Sequence, residues 1–363
     1  MGNNNCWLAN PANLTGRRQF WSCTLILLLV IFSSGCSRPD ADQLFRDYQQ
    51  RLERVLSLTP QTVELAPLAP LPAIRDLQRQ IPPSQLNLLD LVALRHCNLQ
   101  QLVAERNNSL GKVMTSSNRL GYELQLLSTI QPCLNHPELS PKLRADLQQI
   151  YAQKQQQLPF VLANFLTLDP TLRKQLSGQP RLLTKGAGKA VTEPLSALKN
   201  LNQLKHLVVT GQQDSYAALD ATFINQQLGV LYQGNFVADW QYSVRRSNAW
   251  LSTLHLQLSE VKLPELCRQQ DKIAILNTIL TQIFASRVQS YLAELDGLSF
   301  QLVPELQQLY RGTALEDSVE ARLAQPAVQL RALLKQHVGW YQQLQQQCGI
   351  KSPAATEEPP QNV

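Results

Sequence analysis

From residue 84 to residue 347, apolar side chains, mostly leucines, recur at three- and four-residue intervals almost without a break, and that spacing commits the chain to helices. A 3.6-residue period lines such residues up on one face, which then has to be buried. The segments so marked are 86–105, 117–130, 140–157, 158–168 and 171–176, then 195–210, 216–231, 236–258, 266–295, 303–310 and 319–347. Ser140 followed by Pro141 is a helix start, a side-chain cap ahead of a preset first turn. Two-residue alternation is confined to 254–258 and 298–302, and Asp296-Gly297 reads as a helix stop. The expected fold is all-α, an irregular multi-helix bundle of helical hairpins. Glutamine, 44 of 363 residues, supplies wet faces that are neutral rather than ionic.

The N-terminal 35 residues are of another kind. Arg17 and Arg18 are their only charges, an apolar run extends from Phe20 to Phe32, and Ser33, Ser34 and Gly35 follow. A run of thirteen residues falls short of the roughly 20 a membrane span needs, but it fits a cleaved export signal. Gly16-Arg17-Arg18-Gln19-Phe20-Trp21 also resembles a twin-arginine signal, so the export route stays open. Cys36 directly after the small residues completes a lipoprotein-type cleavage site. The expectation is lipid attachment at Cys36, with the bilayer as a partner. Ser37, where an aspartate would retain the protein in the inner membrane, points to the outer membrane, facing the periplasm. Loss of residues 1–35 leaves 31 basic against 27 acidic side chains, too mild an excess for a nucleic-acid binder.

After the signal, 41–58 has the spacing of one amphipathic helix. Six prolines between 59 and 83 forbid a regular element and imply a stiff extended strap, laid over the body by Val63, Leu65, Leu68, Leu71 and Ile74. Glycines and prolines over 177–194 mark a boundary. The organisation read from this is a signal over 1–35, tether, helix and strap over 36–83, helical subdomains over 84–178 and 190–350, and a disordered tail over 351–363.

Once the signal is gone and Cys36 is acylated, Cys97, Cys133, Cys267 and Cys348 remain. Four cysteines in an oxidising compartment are read as disulfides. No two lie close enough for the paired ligands of a zinc site. If the helices of 266–295 and 319–347 run antiparallel, Cys267 at the start of one meets Cys348 at the end of the other; Cys97 then pairs with Cys133.

Catalytic motifs are weak. Ser109-Leu110-Gly111-Lys112 has a serine–lysine spacing seen in penicillin-binding enzymes, but Ser196 with Lys199 and Ser259 with Lys262 repeat it, and the partner motifs and the sheet are lacking. Lys185-Gly186-Ala187-Gly188-Lys189-Ala190 lacks the first glycine and the magnesium-binding hydroxyl of a phosphate loop, and reads as a flexible basic linker. No catalytic, metal or cofactor residues are assigned.

The segment 104–123 is denser in polar groups than a helix-to-helix turn requires. Its cap is expected at Ser116 or Ser117, whereas Arg106, Asn107, Asn108, Ser109, Lys112, Arg119 and Glu123 form either a pinning network or a site for a polar ligand or partner. Residues 95–113, Arg-His-Cys-Asn-Leu-Gln-Gln-Leu-Val-Ala-Glu-Arg-Asn-Asn-Ser-Leu-Gly-Lys-Val, with the lipoprotein start and the strap, resemble the proteobacterial lipoproteins of domain-of-unknown-function family 3080. That resemblance implies a cell-envelope lipoprotein and no particular activity. The functional expectation is a non-enzymatic binding or scaffolding component whose partner is an envelope protein or ligand. The alternative is a helical ligand-binding or hydrolytic module with its site at 105–123.

Overall fold

The computed structural model describes residues 41–82, 94–107, 113–178 and 180–350; the signal segment, 83–93, 108–112 and the tail lie outside the described residues. Among the described residues there is no strand, and the fold is all-α. The helices are α1 (Ala41–Leu56), the single turn α2 (Ile74–Leu77), α3 (Leu99–Asn107), α4 (Ser116–Cys133), α5 (Pro141–Leu168), α6 (Pro170–Ser177) and α7 (Thr192–Thr210). They are followed by α8 (Ala221–Gly234), α9 (Phe236–Ser259), α10 (Leu263–Leu266), α11 (Gln270–Ile279), α12 (Gln289–Tyr310), α13 (Glu316–Val319) and α14 (Gln325–Cys348).

Several boundaries differ from those the sequence suggested. Helix α5 runs through Pro159, joining two expected helices. Proline removes one backbone bond, but Pro159 is exposed, so the carbonyl it leaves unpaired lies on the wet side. Asp296-Gly297 does not stop a helix: both residues lie inside α12, which continues from α11 through a π-helical stretch, Leu280–Val288. The expected helix over 86–105 is broken where described, because Asn98 adopts a left-handed conformation (φ 56°) between the short 3-10 turn Arg95–Cys97 and α3. Ser140 does cap α5, its hydroxyl accepting from the Leu143 amide at 3.2 Å.

One large apolar cluster takes side chains from α1, α4 to α9, α11, α12 and α14, so packing is continuous from residues before 178 to residues after 190. A smaller cluster gathers Leu94, Leu99, Tyr122, Leu126, Ile130, Leu139, Leu143 and Leu147. Helix α4 serves both: Leu120, Leu124 and Leu127 enter the large cluster while Tyr122, Leu126 and Ile130 enter the small one. Little of α4 is left for water. Both expected disulfides are present, Cys97–Cys133 beside the small cluster and Cys267–Cys348 closing the end of α14 against α10. Within the large core the Tyr48 hydroxyl lies 2.7 Å from His337 Nε2 and 2.8 Å from the Tyr341 hydroxyl. Burial, and then the neighbouring His255, push His337 down to about 3, so it is neutral at ordinary pH.

The proline-rich strap lies against this body. Val63, Leu65, Leu68 and Leu71 are half-buried, whereas Ile74, also expected inward, is exposed. Its carbonyls are held by side chains from the helices: Gln257 donates to Thr59 O and Gln49 to Gln61 O, both at 2.9 Å. Arg246 donates to Val63 O (2.9 Å), Arg245 to Ala66 O, Arg322 to Ala69 O and Arg173 to Pro72 O (2.8 Å). Residues 63, 66, 69 and 72 are three apart, as are the inward leucines 65, 68 and 71; three residues per turn is the period of polyproline II. An extended proline-rich segment makes no internal ladder, so its carbonyls are free to accept.

Helices α4 and α8 approach so closely at Gly121 that a Cβ there would stand 2.3 Å from the Ala221 backbone nitrogen. Backbone cannot give way as a flexible side-chain end can. Gly121→Ala is therefore expected to lower stability by about 1–3 kcal/mol, the range for overpacking. At Gly229, inside α8, nothing lies within 4 Å of the added carbon, so Gly229→Ala should gain roughly 0.5–1 kcal/mol. Urea unfolding of the two variants checks the opposite signs; equal effects would contradict the packing described.

Candidate functional site

The polar segment between α3 and α4 starts from backbone needs. Thr115, rather than Ser116 or Ser117, caps α4, its Oγ1 accepting from the Asn118 amide at 3.2 Å. Ser116 is thereby left to hydrogen-bond Asp169, which itself caps α6 by accepting from Thr171 and Leu172. Asn118 accepts from Asn225 of α8 at 2.8 Å. One short stretch thus ties α4 to α6 and α8.

One turn further on, Arg119 donates from Nε to Glu123 Oε1 at 2.7 Å, and Lys154 of α5 lies 3.0 Å from Oε1 and 2.9 Å from Oε2. The Glu123 side chain is 3% exposed and that of Lys154 5%, so both charges are inside the protein. Burial lowers the affinity of Lys154 for its proton, and Glu123 partly restores it. Burial and then the Glu123 charge push Tyr122 up to about 12. Arg106, half-buried at the end of α3, acts electrostatically on both Tyr122 and Lys154.

Of the residues singled out in the sequence, the structure brings Arg106, Arg119 and Glu123 into one cluster and leaves Asn107 exposed at the end of α3. Asn108, Ser109 and Lys112 lie outside the described residues. Lys154 was missed. Its signal was present, because it replaces a hydrophobic residue in the buried stripe Leu143, Leu147, Ile150, Leu158, Val161 and Phe165 of α5. A charge on such a stripe needs a counter-charge on the facing helix, and Glu123 is that group.

The two repeats of the serine–lysine spacing that lie among the described residues resolve into ordinary structure. Ser196 and Lys199 are both exposed, Ser259 donates to Leu256 O, and Lys262 pairs with Glu265. The segment 185–190 is not a loose linker. The amides of Gly186 and Gly188 donate to the two carboxylate oxygens of Glu294 at 2.8 and 2.7 Å, so its backbone does surround an anion, but one supplied by α12. Among the described residues no three His, Cys, Asp or Glu side chains are grouped to hold a metal ion, and no helix is long and apolar enough to cross a membrane.

An all-helical body closed by two disulfides, with a buried ion cluster between its two apolar clusters, is the class of protein defined here. The chain belongs to the family described as protein of unknown function (DUF3080), which it matches over residues 45–352. That span begins inside α1 and takes in the strap. No curated protein and no solved structure matches the chain.

The Glu123 cluster predicts an asymmetry. Glu123→Leu strips Lys154 and Arg119 of their carboxylate and should cost about 3–5 kcal/mol, as breaking a buried pair does. Lys154→Met leaves Glu123 paired with Arg119 and should cost less, and the double variant should recover much of the Glu123→Leu loss. A double-mutant cycle by urea unfolding measures this; additive losses would show that the two groups are not coupled.

Proposed function

We propose that this chain is a lipoprotein of the cell envelope, acylated at Cys36 and anchored to the outer membrane on its periplasmic side, whose helical body binds or scaffolds another envelope component without catalysis. The observation that carries this reading is the closure of all four cysteines of the body into two disulfides. Paired cysteines belong to oxidising compartments, outside the cytosol. The apolar run 20–32 with Ser33-Ser34-Gly35-Cys36 supplies both the export route and the attachment point.

The anchor would be short. Ala41 is already buried in the large apolar cluster, so five residues from Cys36 must span the gap to the bilayer, at most about 18 Å fully extended. A body on so short a tether works next to the membrane surface, which suits a component that engages lipid-embedded or surface-bound partners.

Mass spectrometry of the protein purified from membranes is expected to find an N-terminal peptide beginning at acylated Cys36. Cys36→Ala should block processing, and Ser37→Asp should move the protein to the inner membrane on a density gradient. A mature chain starting elsewhere, or a Cys36→Ala form still cut and anchored, contradicts the proposal.

A further inference from the structure

Between α5, α7 and the end of α12 lies a cleft of about 630 Å³, within the range of roughly 300–1,000 Å³ typical of small-ligand sites. Its floor is apolar: Leu162 and Leu166 from α5 belong to the large core, and Val209 from α7 stands 66% exposed at the side. Its charged lining is cationic: Arg79 from the end of the strap, Lys205 from α7 and Arg311 just after α12 border it, and among the described residues no acidic side chain lines it.

These cations differ in what they can still offer. Lys205 Nζ donates to the carbonyls of Gln308, Leu309 and Arg311 at 2.8, 3.0 and 2.7 Å, so its three donors are used on the C-terminal end of α12. It contributes charge to the cleft but no hydrogen bond. Arg79 is held in place through its backbone, which exchanges two 2.8 Å bonds with the Asn164 side chain, and its guanidinium lies over the Phe160 ring. That leaves the guanidinium edge able to donate outward, as Arg311 also can.

Asn202 ties two walls of the cleft together. It lines the cleft, is only 4% exposed, and its Nδ2 donates to both the backbone carbonyl and the carboxylate of Glu305 at 3.0 and 2.7 Å. Those two acceptors fix which end of the amide is nitrogen. Oδ1 is consequently an acceptor, and it is enclosed by the protein rather than open to the cleft.

We propose that this cleft binds a small amphiphilic anion: an acidic head between Arg79 and Arg311 and an apolar body on Leu162, Leu166 and Val209. The inference goes beyond the proposed anchoring and holds whether or not Cys36 is acylated.

The test uses the disulfide-intact body with decanoate and decyltrimethylammonium as probes, by calorimetric titration below their micelle concentrations. Saturable one-to-one binding is expected for decanoate and none for the cation. Arg79→Ala with Arg311→Ala should weaken decanoate binding at least tenfold, and Val209→Glu, placing an acid at an exposed position in the cleft, should abolish it. Both changes are on exposed side chains, so melting temperatures should not move. Absence of saturable decanoate binding, equal binding of the cation, or variants that bind like the parent would each overturn the proposal.

Discussion

The arginines beneath the proline-rich strap are what the rest of the structure has to accommodate. Among the described residues no carboxylate pairs with Arg173, Arg245 or Arg322. Arg322 is only 7% exposed, and burial together with the charges of Arg245 and Arg173 pushes it below the usual guanidinium range. A buried guanidinium without acceptors would be very costly. The strap removes that cost by bringing Ala66, Ala69 and Pro72 carbonyls over the cluster, with Leu176 O and Thr167 O completing Arg322 and Arg173 from the body. The dependence runs both ways, since a segment with so many prolines can satisfy its carbonyls only on other groups.

The strap also adds polar ties between helices already packed into the large apolar cluster. At its start, Gln257 and Gln49 join Thr59 and Gln61 to α1 and α9, and Arg246 links Val63 to Asp42, the second residue of α1. Burial raises the Asp42 carboxyl, but hydrogen bonds from Arg246, Trp250 and Arg46 outweigh it and hold the group below its ordinary value. At the other end Asn164 fixes Arg79 at the mouth of the cleft and Gln157 holds Pro82 O at 3.1 Å. Helix α1 is locked at one end of this line and the proposed ligand head group is set at the other. Anchoring through residues just ahead of α1 would thus act on the same line of contacts.

Much of the fold was legible in the sequence because it rests on local periodicity. Helix type, the Ser140 cap, an extended strap and the Cys267–Cys348 pairing follow from residue spacing and chain geometry, and Cys97–Cys133 follows as the pair that remains. What was not legible depended on partners far away in sequence. Asp296-Gly297 reads as a stop, yet the helix continues because Leu295 and Leu298 on either side are buried and outweigh local preference. Asn98 was invisible as a break because the apolar spacing passes straight through it. At the candidate site, Arg119 and Glu123 could be seen as a pair four residues apart, whereas Lys154 is 31 positions from Glu123 and the arginines under the strap are 101 to 253 positions from the carbonyls they hold. Periodicity could show that the strap lies on the body but not what holds it there.

The most direct test of this account is the protection of the strap in an Arg245→Met/Arg322→Met protein. Methionine keeps apolar bulk and removes every donor, so the Ala66 and Ala69 carbonyls lose their partners. Hydrogen bonds from charged donors contribute about 1.5–3 kcal/mol each. Thermolysin should then cut between residues 63 and 71 well before it attacks the helices, and the urea midpoint should fall by an amount consistent with two or more such bonds. A double variant whose strap stays as resistant as the parent's, at unchanged stability, would show that apolar contacts alone hold the strap and would contradict the account.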